Sequence, residues 1–286
     1  MKKIFSILAV AVLALCASCD KIDPEDYLIF AGASGQWFEG SGVADQSQRA
    51  LVEKYTGVRC VNCPDGDAKI TAVISKPEYQ HRAFAVAIHG AGSTFGTPYS
   101  GYEDLRNEDA ITWIENLIPN GRNAALPSAL IQRNTSDAFN PSADDIEGRL
   151  QAVLGAAPVV AIAAKSSLSG RETDIDVDLE FLQDCSDELT LTIFLMEDGI
   201  KGKQSGAAED QLDEEGLYTH NHVLRDVITD VWGLAVPEGN PAGTKRMVRV
   251  HYPLEGDHWV AENCKIVAFV SRVSDKGILN VAECEL

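Results

Sequence analysis

Cys60-Val61-Asn62-Cys63-Pro64 is the stretch whose residue types and spacing carry chemistry. A C-x-x-C that follows a strand and opens a helix is the layout of a thiol–disulfide site. The partial positive charge of a helix N-terminus favours a thiolate, so Cys60 would be the attacking sulfur. Cys63, one turn later, is placed to resolve a mixed disulfide. Pro64 suits the first turn of a helix, and Arg59 adds a positive charge beside Cys60. This layout predicts an exposed, reactive Cys60 with Cys63 buried behind it. Two readings stand side by side: a working redox pair, or a structural disulfide in an oxidising compartment. A metal site would need further ligands nearby, and none follow at suitable spacing.

Other constellations are weaker. His220 and His222 share a side if they lie on one strand. His251, His258 or Glu197 would have to complete a metal site, and no spacing supports that set, so packing is the reading taken. Gly90-Ala91-Gly92-Ser93 follows a strand, but no Lys-Ser/Thr pair follows it, so it reads as a loop and not as a phosphate cradle. No metal and no cofactor is assigned. Cys185, Cys264 and Cys284 allow one bridge and one leftover thiol, and the sequence does not choose the pair.

The elements that must position the C-x-x-C alternate between strand and helix. Residues 50–56 read as a strand and 64–75 as a helix with Ile70, Val73 and Ile74 as its apolar stripe. Residues 83–88 are a continuous apolar run, as in a central strand buried on both faces. Asn107 caps a helix through Trp113 and Leu117, with Glu108 and Asp109 in its first turn. Leu126-Pro127 precedes a strand at 128–131, and Ser142 followed by Asp145 starts a helix that ends near Gly155. Such alternation favours a layered α/β unit.

After Pro158 the period changes. Residues 174–181 alternate polar and apolar, and 189–196, 245–252, 264–273 and 277–281 continue the series. An antiparallel β-sandwich is the natural reading. An acidic, Gly-rich insertion at about 201–243 interrupts it. The boundary falls near Gly155–Pro158, and no strand pairing is expected to join the two halves into one sheet.

The N-terminus reads as an export signal. Lys2 and Lys3 precede an uncharged apolar stretch at 4–15, too short to span a bilayer. Leu15-Cys16-Ala17-Ser18-Cys19 resembles a bacterial lipobox, which makes residues 1–18 the signal peptide and Cys19 the lipidated first residue of the mature chain. Two or more acyl chains, palmitate among them, make a stable anchor. Residues 19–48 then form a tether. Loss of Lys2 and Lys3 takes the formal charge from −19 to −21, which excludes nucleic acid as a natural partner. Membrane attachment therefore rests on the lipid, because anionic headgroups repel such a chain.

The segment Glu53-Lys54-Tyr55-Thr56-Gly57-Val58-Arg59-Cys60-Val61-Asn62-Cys63-Pro64 resembles the signature of the twenty-eight-kilodalton outer-membrane protein (Omp) family of bacterial lipoproteins. Glu197-Asp198-Gly199, His220-Asn221-His222-Val223-Leu224-Arg225 and residues 263–270 match it too. The resemblance implies a thioredoxin-like α/β domain at 49–156 and an immunoglobulin-like antiparallel β-sandwich at 157–286, lipid-anchored at the outer membrane. By the thioredoxin resemblance, Pro127 sits opposite Cys60 and Cys63, usually after a cis bond. Two positions depart from that pattern. Arg59 stands where thioredoxins usually carry Trp, and Lys54 stands where they often bury an acid, with Glu53 beside it. An acid-assisted step would need Glu53 to turn inward. The expectation is a binding or assembly module for envelope proteins or peptides, with a tethered thiol–disulfide oxidoreductase using Cys60, Cys63 and Pro127 as the alternative.

Overall fold

A computed structural model gives the fold of residues 29–30, 36–90 and 94–286. The expected signal peptide, Cys19, residues 19–28 and 31–35 of the expected tether, and residues 91–93 lie outside the described residues. The strands are β1 (Ile29–Phe30), β2 (Trp37–Phe38), β3 (Ala50–Tyr55), β4 (Ala83–Ile88), β5 (Ser128–Ile131), β6 (Val160–Ser169), β7 (Glu172–Phe181), β8 (Leu189–Glu197), β9 (Ile200–Gly202), β10 (Tyr218–His220), β11 (Val223–Val227), β12 (Leu234–Ala235), β13 (Lys245–Pro253), β14 (Cys264–Arg272) and β15 (Ile278–Glu285). The helices are α1 (Cys63–Ile74), α2 (Glu108–Leu117) and α3 (Ile146–Leu154). The fold is mixed α/β and dominated by its sheets. No described helix is long and apolar enough to cross a membrane.

Local chemistry explains the helix starts. The Asn107 side chain accepts from the Ala110 N–H at 2.6 Å and caps α2. Asp145 does the same for α3, accepting from Gly148 N at 2.9 Å. The expected start at Ser142 is therefore corrected by three residues. Ser142 belongs to the preceding turn, where its N–H donates to Asn140 Oδ1.

The central sheet has eight strands in the order β15-β14-β8-β11-β4-β3-β5, with β12 on β8. The smaller sheet runs β1-β13-β7-β6, with β2 on β13. The expected absence of pairing across residue 157 is overturned. β11 lies parallel to β4 at Val223↔Ala87, and Ala87 N donates to His222 O at 2.7 Å. The reason is an edge. β4 is apolar and pairs with β3 on one side only, so its other side would leave backbone groups unpaired. The chain returns from the sandwich half to cover it.

Packing crosses the same line. On one face of the central sheet α2 sets Trp113 against Phe194 of β8 and Phe269 of β14, with ring centroids 6.0 and 6.5 Å away. Trp113 is fully buried, and burying one large apolar side chain contributes about 1.5–3 kcal/mol. On the opposite face, Ala50, Val52 and Ile131 pack against Ile70 of α1 and Leu150 of α3. Farther along that face, Leu191, Ile193, Ile266 and Ala268 meet Ile162, Ile175, Val177 and Val248 of the smaller sheet.

Candidate functional site

Cys60 and Cys63 form a disulfide, with their Cα atoms 5.4 Å apart. Cys60 lies in the turn after β3, where its N–H donates to Gly57 O at 2.9 Å. Cys63 is the first residue of α1, with Pro64 next to it in the first turn. The Leu126–Pro127 bond is cis. The Pro127 ring approaches α1 so closely that a Cβ on Gly66 would stand 3.0 Å from its Cγ and equally close to Pro141 Cγ, a tight contact on both rings. Cys63, Gly66 and Pro127 line one cavity of about 30 Å³, room for a water molecule and for little more.

The expected exposure of Cys60 is corrected. Cys60 is 2 % exposed and Cys63 3 %, whereas Val61 between them is 62 % exposed. The loop between β9 and β10 lies against this turn. Gln204 Nε2 donates to Cys60 O at 3.0 Å and to Gly57 O at 3.3 Å. Ser205 N donates to Val58 O at 2.8 Å. Gly206, at φ +76°, packs directly on the Val61 backbone. Arg59 does stand beside the turn, but its guanidinium is engaged elsewhere. It donates to Thr97 O and Pro98 O and stacks 4.2 Å over Tyr99, whose hydroxyl lies 2.6 Å from Ser205 Oγ.

Behind the disulfide the strand period decides which charge faces it. Residues of β3 alternate, so Lys54 shares the Val52 side and lines the cavity with Cys63. Glu53 turns the other way, into the core under α2, and pairs there with Arg133 at 2.9 Å. Glu53 is therefore not a neighbour of the site. Burial pushes its carboxyl pKa upward, with the Arg133 charge opposing.

Lys54 makes a close ion pair with Asp67 of α1, and the Tyr218 hydroxyl donates to the other Asp67 oxygen at 2.8 Å. Burial alone would raise the Asp67 pKa, but the Lys54 charge and these hydrogen bonds hold it below the usual carboxylate range. His222 Nδ1 lies 3.5 Å from Lys54 Nζ. Burial pushes the imidazole of His89 down to about 3, and those of His220 and His222 to about 4. All three are neutral near pH 7. His89 Nδ1 and His220 Nε2 have no hydrogen-bond partner among the described residues.

His220 ends β10 and His222, at φ 60°, precedes β11, so the two do not share one strand. His251 pairs with Asp174 and Glu172, whereas His258 and Glu197 belong to a second network, in which Glu103 pairs with both His258 and Arg225 and Arg225 pairs with Glu197. Among the described residues no three His, Cys, Asp or Glu side chains are grouped to hold a metal ion. Gly90 packs on α2, where a Cβ would stand 2.1 Å from Ala110 O. Cys185, Cys264 and Cys284 are free thiols, so none of the three possible bridges forms.

Sequence reasoning missed Asp67 and the 204–206 cover. Asp67 had a signal, since it stands four residues after Cys63 and thus on the same helix face. The cover had none, because it arrives from more than a hundred residues away.

The family described as Outer membrane protein Omp28 matches residues 117–286. The chain belongs to that family, since the match takes in more than half of it. Among solved structures it is similar to HBP35 of Porphyromonas gingivalis, at 17 % identity and a TM-score of 0.64, covering 85 % of this chain and 77 % of that one. At that identity the likeness shows the fold alone. A domain of the outer membrane lipoprotein Omp28 from Porphyromonas gingivalis matches at 20 % identity and a TM-score of 0.30, over 45 % of this chain and 88 % of that one. No curated protein matches.

Proposed function

We propose that this Omp28-family chain is a lipid-anchored outer-membrane protein that serves as a protein-binding or assembly module. Cys19 carries the lipid in this reading. Residues 49–156 form a thioredoxin-like unit and 157–286 an immunoglobulin-like one, coupled through the shared central sheet. The thioredoxin-like reading is supported by β3 lying between parallel β4 and antiparallel β5, with the C-x-x-C after β3 and Pro127 just before β5. The immunoglobulin-like reading is supported by two largely antiparallel sheets that enclose one core.

One observation carries the function: a disulfide that is sealed, beneath a tip that is not. Val61 is 62 % exposed and Phe95 41 %, and Arg59 N donates to Phe95 O at 2.8 Å, so the two exposed apolar residues belong to adjoining turns. Exposed apolar side chains on a rigid turn gain about 25 cal/mol per Å² when a partner covers them. In this reading the partners are envelope proteins or peptides, and the net charge points away from nucleic acid. A photoreactive residue at 61 or 95 should give discrete adducts with envelope proteins, whereas one at 273, also exposed, should not. Identical adduct patterns from all three positions would defeat the reading.

A second reading, thiol–disulfide exchange on envelope proteins, is favoured by one feature. Cys63, Pro127 and the Lys54–Asp67 pair line the same cavity. It requires the cover over Cys60 to move.

A further inference from the structure

The loop from Lys203 to Gln211 belongs to the sandwich half, yet its polar groups are spent on the turn that carries Cys60 and Cys63. Gln204 Nε2 reaches the carbonyls of Gly57 and Cys60, and Ser205 N reaches Val58 O. Ser205 Oγ meets the Tyr99 hydroxyl, and Arg59 stacks on Tyr99 from below. Gln211 closes the far end: its Oε1 accepts from Ala208 N, and its Nε2 donates to Pro64 O at 3.4 Å. Gly206 is the point of closest approach, where a Cβ would fall 1.9 Å from Val61 O. No side chain larger than hydrogen fits while the loop lies flat on the turn.

We propose that residues 203–211 are an intramolecular strap that holds the Cys60–Cys63 disulfide out of reach of external thiols, so that release of the strap is the step that admits them. The contacts are hydrogen bonds to backbone carbonyls, not a buried apolar seam, so they can part without unfolding either half. A buried sulfur meets a thiolate only in the open state, and the rate of reduction then follows the open fraction. The chemistry behind the gate is ordinary exchange. A dithiothreitol thiolate bonds to Cys60 Sγ, the S–S bond breaks and Cys63 Sγ leaves as a thiolate. The reagent's second thiolate then closes its own ring and frees Cys60 Sγ. Two electrons pass to the protein, and both sulfurs draw their protons from solvent. The inference concerns access and holds whether or not the rim at Val61 binds a partner.

The test is the rate at which dithiothreitol reduces the folded full chain, read by quenched alkylation and mass spectrometry at Cys60 and Cys63. Gln204→Ala deletes two contacts and adds no clash, and Gly206→Ala pushes the strap off Val61 O. Each should speed reduction about tenfold or more, the factor expected when one or two hydrogen bonds holding the closed state are lost. Glu214→Ala, in the same loop but off the contact, should reduce at the wild-type rate. Wild-type rates in both strap variants, with their folds intact by circular dichroism, would overturn the proposal. Should both variants fail to fold, the wild-type chain decides. Its native disulfide must reduce at least about ten times more slowly than that of the urea-unfolded chain, and equal rates overturn the strap.

Discussion

Arg133 lies in the turn after β5 with its guanidinium carbon 4.6 Å from the ring centroid of Phe269. A cation from the first half of the chain is thus seated on an aromatic of the second. The same guanidinium lies 4.3 Å over Trp113 and pairs with Glu53, and the two charged side chains are 1 % and 0 % exposed. A buried pair of this kind adds little net stability when intact, but breaking it strands a charge. Glu53→Leu should therefore cost about 3–5 kcal/mol in urea unfolding. The double substitution Glu53→Leu with Arg133→Met should recover most of that loss. A cost below about 1 kcal/mol for Glu53→Leu would show that the pair is not what orders this region.

Independence of the halves is a second prediction. Residues 36–156 alone would keep β4 but lose β11 from its edge, and would strip Phe194 and Phe269 from Trp113. That fragment should aggregate or melt without a cooperative transition. Size-exclusion chromatography and a thermal melt check this, and a sharp melt of a monomeric fragment would contradict the shared core.

The three buried histidines set a third. His89, His220 and His222 hold folded-state pKa values of about 3, 4 and 4, below the ordinary value of 6.5 for the unfolded chain. The unfolded state therefore binds more protons between about pH 4 and 6.5, and stability rises with pH across that window. It is fully present above pH 6.5 and is lost as the pH falls toward 4. Each histidine contributes a slope of up to about 1.4 kcal/mol per pH unit. Urea unfolding at pH 7 and pH 5 measures it, and His220→Gln should flatten the dependence. A stability independent of pH over this range would contradict neutral burial.

The Lys54–Asp67–Tyr218 chain gives a fourth. The Lys54 side chain is 6 % exposed and that of Asp67 28 %. Asp67→Ala leaves the ammonium with His222 as its nearest polar neighbour, and should cost about 2–3 kcal/mol. Tyr218→Phe removes one hydrogen bond and should cost about 1 kcal/mol. Denaturant titrations of the two variants and their double should show coupling, whereas strict additivity would mean that the hydroxyl does not orient the carboxylate.

Local signals in the sequence proved legible where a side chain acts on its own neighbourhood. Asn107 capped its helix, the apolar run at 83–88 became an interior strand, and the alternation at 174–181 became β7. The reading failed where the partner is distant in the chain. The 201–243 insertion reads as an interruption, yet it supplies β11 to the edge of β4 and the cover over Cys60. Glu53 and Lys54 also show the limit. Their adjacency placed both near the disulfide, and only the register of β3 sends one toward Cys63 and the other toward Arg133. The expected signal peptide, the expected lipid site at Cys19 and half of the expected tether lie outside the described residues.

The central claim is that the Cys60–Cys63 unit serves as a closed clasp under a binding rim. The most direct measurement is a Cys63→Ser substitution in the full chain, with envelope extracts alkylated and resolved without reductant. With Cys60 at 2 % exposure under residues 203–211, the account predicts a single band at the monomer mass and no accumulated mixed disulfide. Discrete dithiothreitol-sensitive adducts of Cys60 with envelope proteins would contradict it and establish thiol exchange as the working chemistry.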